Sequence, residues 1–268
     1  MTENLLPPGP WIRVRNLGFR HGSNAVLGGV DLDLWPGRHY IVAGPNGAGK
    51  STFLDLLAGL KMPAAGGLEI MGRTPREHGP ERLARILSLA PQEYSLNFTF
   101  TVREVVAMGR RPYLGRWGVL DADDWDVVDR SIRELHIGAL AGRAVTALSG
   151  GERRRCIVAR TLAQTTPIVL LDEPSAGLDI AQALSLMALA RRLAENGSLV
   201  VTVSHDLNLA ATFGHELVFL KQGGLAAAGP VADTFTDAVL ESVYDTEARV
   251  TRDDFSGGYS VSFRTKPT

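Results

Sequence analysis

The chain has 268 residues, 45% of them apolar and 21% charged, and its 28 Lys+Arg against 29 Asp+Glu leave a net charge of −1. That combination excludes a disordered, collagen-like or nucleic-acid-coating chain, because none of these joins so large an apolar fraction to near-neutral charge. The length is ample for a sizeable core. Met1 to Pro10 is polar and proline-rich, with no basic segment leading into an apolar one, so the chain is expected to stay in the cytosol. No apolar run approaches the roughly 20 residues that a membrane-spanning helix needs, and the chain is not expected to cross a bilayer by itself. Trp11 to Val14 and Val30 to Leu34 alternate and Tyr40 to Ala43 is an apolar run, so residues 11–43 predict an antiparallel first layer. Phe53, Leu54, Leu56, Leu57 and Leu60 then follow helical spacing, which ends near Gly59. A second helical zone opens at Thr101, where Thr101-x-x-Glu104 has the form of a capping box, and runs with interruptions to about Thr165. Beyond it, strands at Ile168–Leu171, Leu199–Val203 and Leu217–Leu220 alternate with helices, one spanning Ile180 to Glu195, and imply a mainly parallel sheet covered by helices. The tail, residues 248–263, reads as a hairpin around Ser256-Gly257-Gly258. The single cysteine, Cys156, has no internal disulfide partner, which fits a reducing compartment.

Chemistry is densest at Gly44-Pro45-Asn46-Gly47-Ala48-Gly49-Lys50-Ser51, which matches the phosphate-loop pattern G-x-x-x-x-G-K-[ST]. An apolar strand enters it and an amphipathic helix leaves it, so main-chain N–H groups and a helix N-terminus would surround nucleotide phosphates. Lys50 is expected to neutralise the outer phosphates and Ser51 to ligate Mg²⁺. Asp172 and Glu173 end the apolar run from Ile168; Asp172 suits the metal and Glu173 suits an attacking water, although the pair would equally cap a following helix. Leu148-Ser149-Gly150-Gly151-Glu152 combines a second capping box with two glycines that leave helix amides bare. Arg153, Arg154 and Arg155 at that positive helix end imply a nearby anion or salt bridges.

With these segments the chain resembles the nucleotide-binding subunit of ABC transporters, over nearly its whole length. The resemblance rests on six motifs in family order: the phosphate loop at 44–52, a Q-loop in Ala90-Pro91-Gln92, the signature at 148–152, the acidic strand at 168–173, a D-loop in Ser175 to Asp179 and a switch histidine in Ser204-His205-Asp206. It implies an α/β phosphate-loop NTPase (ABC ATPase) fold with an antiparallel β subdomain, a RecA-like parallel-sheet core and a helical subdomain. The implied layout is one domain over 1–268, with the core at 11–90 and 166–268, helices and signature at 91–165 and a terminal hairpin at 248–263. It further implies a head-to-tail homodimer that holds two ATP and Mg²⁺ between the phosphate loop of one copy and the signature of the other. Ser149, Gly150 and Gly151 would then act in trans with Asp179 at the seam, while Gln92 and His205 serve the metal, the water or the γ-phosphate. Thr52 completes the phosphate loop. Where the family commonly places tyrosine against adenine, alignment gives His21, with Phe19 as the alternative; Arg154 stands where glutamine is common.

The 98 residues between Lys50 and Ser149 suffice for a small helical subdomain but not for the coiled-coil arms of DNA-repair relatives. One cassette argues against ribosome-associated relatives, and the lack of fused membrane spans against most exporters. Phe98 to Tyr113 resembles subunits that drive import of iron–siderophore, haem or cobalamin, which implies peripheral attachment to a permease at the cytoplasmic face of the inner membrane. Tyr94, Phe98, Arg110, Arg111 and Tyr113, near Gln92, are the candidate docking residues. The alternative is a cytosolic ABC ATPase of iron–sulfur cluster assembly, acting on soluble scaffold proteins. A GTPase is disfavoured by the lack of an Asn-Lys-x-Asp motif.

Overall fold

Alternating burial sets the first layer. β1 (Ile12–His21) and β2 (Asn24–Leu34) pair in antiparallel, burying Ile12, Val14 and Leu17 from one strand and Val30 and Leu34 from the other. β3 (His39–Ala43) leaves that layer and runs parallel to two later strands, so the antiparallel sheet ends sooner than the sequence suggests. All five residues of β3 are buried, as expected of a strand covered on both faces, whose apolar run lacks alternation. The computed structural model describes residues 8–92, 99–114, 118–255 and 257–265.

After β3 come α1 (Lys50–Leu57) and β4 (Ala65–Ile70), the latter completing a three-stranded sheet in the order β2-β1-β4. α2 (Pro75–His78), opened by a Thr74–Glu77 capping box, and α3 (Pro80–Ile86) lead to β5 (Leu87–Ala90). The next helices are α4 (Val102–Ala107), α5 (Ala122–Glu134) and α6 (Gly150–Ala163), with a 3-10 segment at Met108–Tyr113. The Thr101–Glu104 and Ser149–Glu152 boxes both form, each hydroxyl accepting from the N–H three residues on while the glutamate reaches back.

β6 (Ile168–Asp172), α7 (Ile180–Glu195), β7 (Leu199–Val203), α8 (Leu207–Phe213) and β8 (Glu216–Lys221) alternate as the sequence predicts. β9 (Gly224–Pro230), α9 (Val231–Thr234) and α10 (Asp237–Tyr244) follow, and β10 (Glu247–Asp253) and β11 (Gly258–Arg264) form the terminal hairpin. The large sheet has the order β5-β6-β7-β3-β8-β9, parallel except for β9. Its two faces feed two cores: Tyr40 and Val42 join Phe53, Leu57 and the antiparallel layer, whereas Ile41 and Ala43 join α6, α7 and α8.

A titratable histidine sits inside this sheet. The fully buried imidazole of His39 meets Thr202 Oγ1 at 2.8 Å and the Phe213 carbonyl at 3.0 Å, and burial pushes its pKa down to about 3. A depressed histidine pKa means that the unfolded chain binds more protons, so its contribution is full above pH 6.5 and is lost as pH falls toward 3. Between pH 7 and pH 5 the wild-type chain should lose about 2 kcal/mol more stability than His39→Gln, measured by urea unfolding at both pH values.

Candidate active site

Four neighbouring strands present their carboxyl ends in one row. In the order β5, β6, β7 and β3 they lead into Pro91-Gln92, Asp172-Glu173, Ser204-His205 and the loop from Gly44 to Gly49. Ligands of open parallel sheets bind at this edge.

The Gly44 loop is shaped by close approach. Gly44 has φ 142°, and a Cβ there would lie 2.0 Å from the Leu220 carbonyl oxygen. Gly49 has φ 95° and would press a Cβ to 2.7 Å from the Leu27 side chain. Gly49 also stands at the N-cap of α1 without a side-chain cap, which leaves the first amides of that helix to other acceptors. Asn46 and Gly47 are exposed, Pro45, Ser51 and Thr52 half-buried, and Ala48 buried. Buried Lys50 lies back across the loop, donating to the Gly44 and Pro45 carbonyls at 2.8 and 2.9 Å. Desolvation lowers its pKa, and Glu173 and Asp172 act in the opposite direction.

Asp172 and Glu173 divide the polar work. Ser51 Oγ donates to Asp172 Oδ1 at 3.3 Å, and burial raises the Asp172 pKa against that single hydrogen bond and nearby Arg154. Glu173 turns away with φ 49°. Its Oε2 accepts from Gln92 Nε2 at 3.0 Å and lies 3.6 Å from His205 Nδ1. A carboxylate held between an amide and an imidazole at an open edge can take a proton from water. An adjacent hydroxyl and carboxylate, both hard oxygen donors, suit Mg²⁺.

Ser149, Gly150 and Gly151 form a second cluster. They open α6, and a Cβ on Gly151 would meet Gly177 O at 3.2 Å, so the signature packs on its own D-loop. Asp179 is exposed and caps α7 by accepting from Gln182 N at 2.8 Å. His21 is exposed where β1 turns into β2, whereas Phe19 is half-buried and covered by Lys61, 5.6 Å from its ring centre.

Arg153, Arg154 and Arg155, in the first turns of α6, are directed at main-chain carbonyls. Arg153 reaches Leu148 O, Arg155 reaches Leu135 O and His136 O, and Arg154 reaches four carbonyls at the ends of β5 and β6. The sequence marks Arg154 as unusual but offers no signal for these partners. A further contact it hides is the Tyr244 hydroxyl, at the end of α10, against the Gly44 main chain; burial pushes that hydroxyl up to about 12.

A parallel strand, a glycine-bounded loop and a capless helix, with carboxylates at the end of a strand one further along the sheet, define a phosphate-loop nucleotide hydrolase. The ABC transporter sequence profile matches residues 27–176. The hemin import ATP-binding protein HmuV of Thermobifida fusca is 40% identical over 238 residues, 88% of this chain and 82% of the relative. The protein of the same name from Nocardia farcinica is 42% identical, over 92% of this chain and 85% of the relative. The cobalamin import ATP-binding protein BtuD of Halobacterium salinarum is 37% identical over 93% of this chain, which spans 62% of that longer relative. Among solved structures, a dimeric ATP-binding cassette with ADP and Pi aligns with TM-score 0.73 and 26% identity, over 82% of this chain and 98% of that one. The chain belongs to the ABC transporter family, as one of its ATP-hydrolysing subunits.

Of the expected docking residues, Arg110 is corrected by the structure. Only 8% exposed, it pairs with Asp124 at 2.8 Å, donates to Ala163 O and Thr165 Oγ1, and stacks over Tyr113. Gly109 fixes the approach, since a Cβ there would lie 2.2 Å from Arg160 O, so the guanidinium is drawn into the helix packing. Tyr113 is half-buried and donates to Gln164 O, Arg111 is exposed, and Tyr94 and Phe98 lie outside the described residues. Arg110→Ala leaves Asp124 buried without its partner and should cost about 3–5 kcal/mol in unfolding free energy, checked by urea titration.

Proposed function

We propose that two copies of this chain bind and hydrolyse ATP to drive import of a metal chelate through a membrane permease. The observation that carries this reading is the hemin-import name borne by relatives that align over most of both lengths. Haem is therefore the first cargo to test; cobalamin follows from the BtuD relative and iron–siderophore from the sequence resemblance. The alternative in iron–sulfur cluster assembly is not favoured, because these relatives are import subunits.

In this mechanism Gly44 to Thr52 wrap the phosphates with main-chain N–H groups and the N-terminus of α1. Lys50 exchanges its carbonyl partners for the outer phosphates. Ser51 and Asp172, with Gln92 beside them, would hold Mg²⁺, which when bound neutralises phosphate charge. Glu173 takes the proton of the attacking water while Gln92 and His205 orient it. The Ser149 hydroxyl accepts the Glu152 N–H as a cap and donates to the Glu152 carboxylate, a partner it would exchange for a γ-phosphate on the partner copy. Asp179 stands at the seam, and exposed His21 faces adenine in preference to covered Phe19.

Each γ-phosphate adds contacts across the seam and hydrolysis removes them, so the cycle shifts the permease between conformations. Among the described residues no helix is long and apolar enough to cross a membrane, which suits peripheral attachment at the cytoplasmic face of the inner membrane. A groove of about 700 Å³ lined by Leu60, Met62, Leu83, Leu87 and Gln164 is the proposed seat for a permease segment. Leu60 and Met62 are 68% and 58% exposed, a large apolar surface to leave uncovered.

Glu173→Gln should keep ATP binding, accumulate dimer by light scattering and lose about 10²–10⁴-fold in turnover; unchanged turnover rejects Glu173 as the base. Lys50→Ala should weaken nucleotide binding, whereas Ser149→Arg should spare binding by single subunits and block ATP-dependent dimers. Uptake of haem, cobalamin and ferric chelates by vesicles containing the co-purified permease then assigns the cargo.

A further inference from the structure

We propose that Arg154 is a positioning residue for hydrolysis, locking the main chain of Gln92 and Glu173 to the helix that carries the signature. The inference rests on the ATPase reading above and concerns a residue that touches no substrate.

Its guanidinium is a two-pronged clamp. Nη1 donates to Pro91 O at 2.6 Å and to Gln92 O at 2.9 Å. Nη2 donates to Asp172 O at 2.8 Å and to Glu173 O at 2.6 Å. These carbonyls lie at the ends of β5 and β6, where the ladder pairing of Ala90 with Leu171 has just stopped and each needs a donor from elsewhere. A planar fork with donors in fixed directions can span two such pairs; the two N–H of a glutamine amide or the single ammonium of lysine cannot hold all four.

The clamp acts on a strained residue. Glu173 sits at φ 49°, a region that non-glycine residues seldom occupy without support from their surroundings. Its N–H is fixed by Val203 O at 3.0 Å, and its carbonyl by Arg154 together with Ala176 N. With both main-chain groups fixed, the Cα–Cβ direction of Glu173 is set, and from it the side chain makes its 3.0 Å contact with Gln92. Arg154 thus sets the spacing between the strand ends across which the base and its amide partner meet.

The clamp is rooted in α6, whose first residues are the signature that serves the partner copy's ATP. A small cavity of about 110 Å³ lined by Gln92, Gly150, Arg153 and Arg154 lies beside the contact. A displacement of α6 on engaging the partner's nucleotide is therefore transmitted, through four hydrogen bonds, to the base of its own site.

The test is steady-state ATP hydrolysis by the full chain and by Arg154→Gln and Arg154→Lys. Both variants should lower kcat, Arg154→Gln by about tenfold or more, with KM for ATP within about twofold, since misplacing a catalytic group costs rate rather than binding. Arg154→Lys, which keeps the charge but not the fork, should fall between wild type and Arg154→Gln. In a Glu173→Gln background the same Arg154→Gln change should have little further effect on residual turnover, because the group through which Arg154 acts is gone. A purely structural arginine would instead lower the thermal midpoint and raise KM alongside the kcat loss, and its effect would multiply with that of Glu173→Gln; that pattern overturns the proposal. Wild-type kcat in Arg154→Gln also overturns it. If Arg154→Gln does not fold, Arg154→Lys carries the same kcat-against-KM comparison. Failure of the wild-type chain itself to hydrolyse ATP refutes the ATPase reading, whereas active wild type with unaffected variants refutes only the role of Arg154.

Discussion

The parallel register of four strands is the constraint on which the site depends. Ala90 lies level with Leu171, Asp172 with Val203, and Val42 with Val203, so one cross-section of the sheet ends β5, β6, β7 and β3 together. A slip of one residue in any strand would displace its loop by about 3.3 Å and turn its inward side chains to the opposite face. That slip is resisted because the two faces feed different cores, and residues such as Val42 and Ala43 differ in the volume each face can accept. The polar chemistry is thus aligned by apolar packing, and Gln92, Glu173, His205 and Lys50 need no direct sequence relation to one another.

Charge at that edge is managed mainly by main-chain dipoles. Lys50 and Arg154 between them satisfy six carbonyl oxygens while standing close to Asp172 and Glu173. Burial opposes both cations, and the two carboxylates offset only part of that cost. The two cations nevertheless differ in kind. The Lys50 ammonium is a point charge on a flexible stem, free to exchange one set of oxygen atoms for another, whereas the Arg154 fork is matched to fixed partners. Exchangeable contacts thus fall to Lys50 in the phosphate loop and fixed ones to Arg154 at the carboxylate edge.

Local patterns explain what the sequence made legible. The phosphate loop, the capping boxes at Thr101 and Ser149 and the run Ile168 to Asp172 are contiguous, and their geometry follows from neighbours a few residues away. β4 and β9 were hidden because Ala65-Gly66-Gly67 and Gly224-Leu225-Ala226-Ala227-Ala228 carry too few large side chains to alternate, although each pairs with a neighbour on either side of one irregularity. Gly66 there has a structural cause, since a Cβ would lie 2.1 Å from Asn16 O. Arg110, placed among the docking candidates by the resemblance of its segment to importer subunits, is drawn inward by Asp124 and Thr165, partners that its neighbours in sequence do not reveal. The four carbonyls that bind Arg154 were beyond any pattern, because main-chain acceptors have no letter in the sequence.

The same limit hides how the carboxyl-terminal third supports the phosphate loop. The Leu220 carbonyl, at the inner end of β8, closes on Gly44 so tightly that only hydrogen fits between them. Tyr244, on α10, meets the same glycine through its hydroxyl, and Lys221 bonds Ser242 O and Asp245 to hold α10 against β8. The hairpin of β10 and β11 then reaches α8, where Val261 N–H donates to Asn208, three residues beyond His205. One continuous stretch of chain therefore braces both the first glycine of the phosphate loop and the helix that follows His205. The terminal hairpin thus has a covalent and hydrogen-bonded route to both ends of the site.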